Sequence, residues 1–229
     1  MSHSKRYRGL AEQVNREQLY PLSEAIELVK KTSTVKFDAS VELHFHLGVD
    51  PKKADQMVRG TVKLPHGTGK QLKIAVFATG KAADEAKKAG ADLVGGEELV
   101  KTIKEKGVTD FDIAVASPDM MKVLAPIAKT LGTRGLMPNP KNETVNPNPA
   151  AVVTELRSGK VAFRTDTGGN IHQMVGKVSF DSKQLFANAA AMIEAIKKAK
   201  PSEAKGTYLQ SVSLTSSMGP AVKLDPSST

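Results

Sequence analysis

The sequence of 229 residues contains no cysteine and no tryptophan. Without thiols, a disulfide framework, a thiolate metal centre and a cysteine nucleophile are excluded, and a reducing compartment is the expected location. No apolar run approaches the ~18 residues that a membrane-spanning helix needs. The basic start of the chain leads into a polar segment rather than into a signal-peptide core. We therefore expect a cytoplasmic protein with no membrane partner.

Aromatic side chains are also scarce, at 4% of the residues. A protein that binds single strands by base stacking needs several such rings as platforms. Charge is abundant, since 33 Lys and Arg against 24 Asp and Glu give a formal net charge of +9. Such an excess favours a polyanionic partner, although solubility alone explains it about equally well. A nucleic-acid partner should therefore be contacted mainly at phosphates, sugars and through its shape.

The middle of the chain alternates short apolar runs with amphipathic helices. Strands are predicted at 73–78, 93–94 and 112–116, and helices at 82–89, 97–106 and 117–131. Repeated strand–helix units are typical of a parallel sheet with helices on both faces. We predict a three-layer, Rossmann-like α/β domain over residues 68–159.

The flanking segments alternate apolar and polar residues. In 39–47 the odd positions are apolar and the even positions polar, which predicts a half-buried antiparallel strand. Further strands are predicted at 160–164, 174–180 and 207–215, with a helix that is capped by Ser182 and ends before Pro201. Neither flank holds enough elements for a domain by itself. We therefore predict one discontinuous α+β domain, residues 1–67 plus 160–229, around the inserted α/β domain.

Glycines mark both crossings between these domains, Gly67 and Gly69 at one and Gly159 at the other. Glycine tolerates large dihedral changes, which suits a hinge, although ordinary turns are the alternative. Residues 68–159 carry 13 Lys and Arg against 11 Asp and Glu, whereas the flanks carry 20 against 13. The basic excess therefore lies on the discontinuous domain, which we predict to be the main nucleic-acid binder.

Enzyme motifs are incomplete. The run GTGK at 67–70 resembles the end of a phosphate-binding loop, but Leu64 and Gln71 stand where that motif needs Gly and Ser or Thr. The turn after the first central strand, ATGKA at 78–82, lacks the dinucleotide-binding glycines. His44 and His46 share a strand face without a carboxylate at metal-ligand spacing. We expect no catalytic residue, cofactor or metal; a nucleotide-binding α/β enzyme is the alternative.

One face of the predicted antiparallel sheet is rich in short hydroxyl side chains. Its members are Ser40, Glu42, His44, Lys177, Ser179, Leu209, Ser211, Ser213 and Thr215. Hydroxyls match ribose 2′-OH groups and phosphate oxygens, which distinguishes RNA, although an ordinary polar face is the alternative. Phe37 and Met218 lie on loops beside this face. They contact a sugar or base if exposed, or belong to the core.

Six segments, in order, resemble the bacterial large-subunit ribosomal protein L-one family. They read KFD at 36–38, VEL at 41–43, IAKTLGTRGLMPNP at 127–140, GGNIH at 168–172, VGK at 175–177 and SMGP at 217–220. The resemblance spans nearly the whole chain and implies two domains, one inserted in the other. It further implies binding to the large-subunit rRNA stalk, help in releasing deacylated tRNA from the exit site, and repression of the protein's own operon through its mRNA. We expect a ribosome-associated protein that is a monomer when free.

The resemblance also implies an RNA-binding site. By position it comprises Phe37, Ser40, Glu42, Ser211, Ser217, Met218 and Gly219, with Lys36, Asp166, Gly168 and His172 beside them. Two residues depart from the family pattern: Ser217 replaces the usual Thr and loses a methyl group, and Thr167 replaces a frequent Lys and loses a cation. A free translational regulator that never enters ribosomes remains the other alternative.

Overall fold

A computed structural model describes residues 4–107 and 109–226, and it mixes helices and strands in two compact units. The first unit combines the chain up to Gly69 with the chain from Val161 onward, and the second is Lys70–Lys160. Within the described residues, no helix combines the length and the apolar character that crossing a bilayer requires.

In its described residues, the first unit contains three helices and two sheets. The helices are α1 (Lys5–Ala11), α2 (Leu22–Thr32) and α8 (Ser182–Lys198). The strands are β1 (Ser40–Leu47), β2 (Arg59–Lys63), β6 (Lys160–Arg164), β7 (Asn170–Lys177), β8 (Leu209–Ser216) and β9 (Val222–Leu224), and a 3-10 turn spans Ala54–Gln56. An antiparallel sheet has the order β7-β1-β8-β9, and β2 pairs with β6.

Strand β1 contributes apolar side chains to one face of the larger sheet and polar side chains to the other. Val41, Leu43 and Phe45 are at most 1% exposed, and they join the core beneath α2 and α8. The even-numbered residues of β1 remain at least partly exposed. Burying a large apolar side chain contributes about 1.5–3 kcal/mol, so this alternation orients the sheet.

A buried amide on α8 fixes the chain where it leaves the first unit. The Asn188 side chain accepts the His66 N–H at 3.0 Å and donates to the carbonyls of Gly67 and Val175, each at 2.7 Å. Buried backbone groups need such partners, because an unpaired one costs about 1–3 kcal/mol. Asn188 therefore joins α8 to the adjacent strand β7 and to a segment more than a hundred residues earlier.

The second unit is built on a parallel sheet of three strands. Its elements are β3 (Ile74–Phe77), α3 (Lys81–Lys88), β4 (Leu93–Gly95), α4 (Glu97–Lys106), β5 (Ile113–Ala116), α5 (Met120–Val123), α6 (Ala128–Thr133) and α7 (Pro149–Arg157). The strand order is β4-β3-β5. One sheet face packs with Ile103 and Leu131, the other with Ala86 and Val153. Every residue of β3 is buried because both faces are covered.

The prediction of one continuous helix at 117–131 is wrong, because the helix is interrupted. The chain forms α5, then a 3-10 turn at Ala125–Ile127, then α6. Pro126 interrupts the helix because proline has no N–H to donate and its ring clashes with the preceding turn. The apolar residues Leu124, Ile127 and Leu131 are nevertheless buried.

Three predictions in the last third of the chain are also wrong. Strand β7 lies at Asn170–Lys177 rather than at 174–180, because Asp38 accepts the Ser179 N–H at 3.1 Å within the turn that follows it. Helix α8 has Asp181 as its N-cap rather than Ser182. Leu209 packs against the core, since a bulge beside Leu47 breaks the alternation of β8.

We expect Gly48→Ala to destabilise the first unit by about 1–3 kcal/mol, as overpacking does. A Cβ atom at Gly48 would overlap the backbone carbonyl oxygen of Thr207, which cannot move aside as a side chain can. Urea denaturation measures the loss. Gly9→Ala is the control, because nothing lies within 4 Å of a Cβ added there. Equal stabilities of the two variants would contradict this packing argument.

Candidate nucleic-acid interface

The solvent side of β7, β1 and β8 presents ordered rows of polar side chains. This polar face comprises Ser40, Glu42, His44, His46, Asn170, His172, Lys177, Ser211, Ser213 and Thr215. His44 lies between His172 and Ser213, and His46 lies between Asn170 and Ser211. Glu42 lies beside Thr215. The antiparallel register thus brings together residues from three distant segments.

Two exposed apolar side chains lie where β1 begins and β8 ends. Phe37 is 58% exposed and Met218 is 70% exposed. The alternative that places both in the core is therefore wrong. Single exposed apolar residues are common on protein surfaces, and these two draw attention because both border the same hydroxyl-bearing strands.

Met218 occupies a backbone conformation that non-glycine residues rarely adopt. Its φ is +64°, within a turn in which the Gly219 N–H donates to the Ser216 carbonyl at 2.9 Å. A left-handed third residue is typical of type II turns, where glycine is usual. A Cβ on Gly219 would overlap Ser216 Oγ, so a larger residue at 219 would require the Ser216 hydroxyl to move.

The segments that carry Phe37 and Met218 form the rim of the polar face. Ser40 and Ser217 join these two rim segments directly. The Ser217 N–H donates to the Ser40 carbonyl at 3.0 Å, and the Ser40 N–H donates to Ser217 Oγ at 3.2 Å. Lys177 Nζ donates to Ser40 Oγ at 3.1 Å and to the Asp38 carbonyl at 3.3 Å. Because Ser217 Oγ accepts the Ser40 N–H, the hydroxyl proton of Ser217 can be donated to a ligand.

The loop before β7 is ordered by Asp166. Its Oδ1 accepts the N–H groups of Asn170 at 2.7 Å and Gly168 at 2.9 Å. The Asn170 bond is the main reason that the pKa of Asp166 is lowered. The other carboxylate oxygen lies 3.7 Å from His172 Nε2. Asp166 therefore shapes the loop and lies near His172, and Gly168 is exposed beside it.

Two histidine rings meet at the centre of the polar face. Nδ1 of His44 lies 2.8 Å from Nδ1 of His172, so one nitrogen donates while the other accepts. His44 Nε2 lies 3.2 Å from Thr215 Oγ1 and 4.0 Å from the Glu42 carboxylate. Burial and then His172 lower the pKa of His44, against a smaller opposing effect of Glu42. In the part of the chain that the structure describes, no group of three His, Asp or Glu is arranged to hold a metal ion.

A family model described as "Ribosomal protein L1p/L10e family" matches residues 29–220. The chain belongs to this family. It is 52% identical to the "Large ribosomal subunit protein uL1" of Thermobifida fusca, an alignment that covers 100% of the chain and 97% of the relative. It is 54% identical to the protein of that name from Salinispora tropica, covering 99% and 94%, and 48% identical to that of Thermosipho melanesiensis, covering 98% and 97%. Because this is a family of structural ribosomal proteins, the alternative of a nucleotide-binding α/β enzyme is rejected.

The structure brings most of the sequence-predicted site residues into one region. Those on the polar face or its rim are Lys36, Phe37, Ser40, Glu42, His172, Ser211, Ser217, Met218 and Gly219. Asp166 and Gly168 belong to the adjoining loop. The sequence missed the contact between His44 and His172. It also missed Arg6 of α1, which donates to Thr34 and to the Met218 carbonyl, because those partners lie 28 and 212 residues away.

All three glycines assigned to the hinge have positive φ: +63° at Gly67, +73° at Gly69 and +97° at Gly159. Asn188 holds the Gly67 carbonyl, and Gly69 lies against Phe180. These contacts pack Gly67 and Gly69 against the first unit. The positive φ values explain why glycine is needed, and the hinge stays a prediction.

We expect His44→Gln to weaken the pH dependence of stability. Because the folded state lowers the pKa of His44, the unfolded chain binds this proton more readily. The free energy of unfolding then falls as the pH drops through the ordinary pKa of 6.5 toward the lower folded pKa. Urea denaturation at about pH 7.5 and about pH 5 should show a larger loss in the wild type than in His44→Gln.

The matched control for this comparison is His46→Gln. His46 lies on the same strand face, outside the contact between His44 and His172. This variant should keep most of the wild-type pH dependence. An identical response of wild type and His44→Gln would refute the assignment.

Proposed function

We propose that this protein is a structural constituent of the large ribosomal subunit that binds the large-subunit rRNA stalk through the polar face and its rim. Relatives named large ribosomal subunit proteins support the assembly. The observation that carries the choice of surface is the exposure of Phe37 and Met218 beside the hydroxyl-bearing strands. The protein acts in the cytoplasm on the ribosome and is a monomer when free.

The side chains of the polar face suit RNA. Ser211, Ser213 and Thr215 both donate and accept hydrogen bonds, so they match ribose 2′-OH groups and phosphate oxygens. Glu42 accepts only, which suits a 2′-OH or a base amino group and disfavours phosphate. Lys36 and Lys177 supply cations at the edge of the face. Recognition therefore combines sugar contacts with phosphate neutralisation.

The apolar rim adds a second kind of contact. Phe37 and Met218 present ring and thioether atoms, which pack against a ribose or an unstacked base. With aromatic residues at only 4% of the chain, such contacts are few and local. This supports a folded RNA element, recognised by shape, as the partner.

We further propose that the same face represses the protein's own operon by binding an mRNA segment of similar shape. On the ribosome, the protein assists the release of deacylated tRNA from the exit site. The discontinuous domain of residues 1–67 and 160–229, the inserted domain of 68–159 and the hinge at Gly67, Gly69 and Gly159 belong to this proposal. Bending at those crossings supplies the movement that release of tRNA requires.

Phe37→Asp and Met218→Asp should each weaken binding to an rRNA stalk fragment by about 2–4 kcal/mol, which is about 30- to 1000-fold in Kd. Each change places a carboxylate where an apolar contact and a polyanion meet. Gel-shift titration at one fixed salt concentration measures the effect. Phe186→Asp is the control, because Phe186 is also exposed, at 45%, but lies on α8 away from the polar face. If both rim variants bound the rRNA fragment with wild-type affinity, the site assignment would be wrong.

The operon leader mRNA supplies the second arm of this experiment. Since one face cannot hold two RNAs, the leader and the rRNA fragment should compete, and Met218→Asp should weaken both in similar proportion. Simultaneous binding of the two RNAs, with Met218→Asp weakening only the rRNA fragment, would show that the mRNA uses another surface.

Sedimentation of cell extracts should find the protein mainly with large ribosomal subunits. Tight binding to the rRNA stalk predicts this distribution. A protein found only in the free fraction would favour the regulator that never enters ribosomes.

A further inference from the structure

One guanidinium group joins the two rim segments of the polar face. Arg6 of α1 donates from Nη2 to the Met218 carbonyl at 2.9 Å and from Nη1 to Thr34 Oγ1 at 3.2 Å. Thr34 lies between α2 and β1, in the segment that leads to Phe37. Because the guanidinium is planar and rigid, its two donors hold these acceptors at a fixed separation.

The turn that carries Met218 needs such support. Its φ of +64° is one that side chains other than glycine rarely adopt. Ser216 Oγ is buried without a hydrogen-bond partner among the described residues, so that hydroxyl does not brace the turn. The direction of the Met218 carbonyl depends on the dihedral angles of Met218. A donor fixed on that carbonyl therefore favours the left-handed conformation over the alternatives.

We propose that Arg6 is a positioning residue of the RNA site: it holds Met218 in its left-handed conformation and ties it to the Thr34 segment. The inference rests on the proposed RNA-binding function. A turn that is already ordered in the free protein loses less conformational freedom on binding, which raises affinity. Arg6 thereby acts on RNA through Met218.

A direct contact between Arg6 and a phosphate is the competing explanation, and Met218→Gly separates the two. Glycine adopts a positive φ readily, so the turn in that variant no longer depends on Arg6. If Arg6 acts through the turn, Arg6→Gln has little effect in the Met218→Gly background. If Arg6 binds phosphate, the same fold-loss persists there and the salt dependence of binding falls.

The binding experiment uses the full chain and a fragment of the rRNA stalk. Arg6→Gln should raise Kd about three- to tenfold in the wild-type background and less than about twofold in the Met218→Gly background. Arg8→Gln is the matched control, because it removes the same charge from α1 at a side chain that makes no hydrogen bond within the described residues. It should change Kd less than about twofold. Equal losses from Arg6→Gln in both backgrounds would overturn the proposal.

Hydrogen exchange in the free protein tests the same contact without RNA. The Gly219 amide, which donates to the Ser216 carbonyl at 2.9 Å, reports the turn. Arg6→Gln should speed its exchange about three- to tenfold, whereas Arg8→Gln should leave it unchanged. Unchanged amides within β8 show that the fold is intact. Unchanged exchange at Gly219 in Arg6→Gln would overturn the positioning role, even if the rim variants establish RNA binding.

Discussion

The pairing of β1 with two strands from the far end of the chain is the constraint on which the first unit depends. β1 bonds to β7 along one edge and to β8 along the other. Its odd-numbered residues enter the core, and its even-numbered residues build the polar face. A slip of one residue would exchange these two sets. The register that buries Leu43 and Phe45 is therefore the same register that places His44 against His172.

The sequence pattern predicts those features of the structure that depend on residues close together in the chain. The alternation in 39–47 identifies β1 and its exposed residues, since side chains on a strand point to opposite faces in turn. The same reasoning cannot place Phe37 or Met218, because a single apolar residue beside a turn looks alike whether it is buried or exposed. The contact between Arg6 and Met218 depends on tertiary packing across most of the chain. The start of β7 at Asn170 likewise depends on its pairing with β1.

Under the proposed RNA-binding function, negative charge on the polar face shapes the selectivity of that face. The chain carries a net charge of +9, yet Glu42 lies in the middle of this face and Asp166 lies at its border. The overall charge attracts any polyanion, whereas these carboxylates disfavour phosphates brought close to them. In this proposal the excess of Lys and Arg attracts RNA, whereas Glu42 and Asp166 discriminate between its phosphate and hydroxyl groups. An RNA that offers 2′-OH groups at these positions gains hydrogen bonds where DNA has none.

Asn188 has a consequence for the order in which the chain folds during its synthesis. The backbone groups of His66 and Gly67 find their partner on a residue made more than a hundred positions later. Both edges of β1 likewise lack partners until β7 and β8 have been made. The strands β3, β4 and β5 are complete long before that point. The second unit can therefore fold on the nascent chain first, and the unit that contains the first residues closes last.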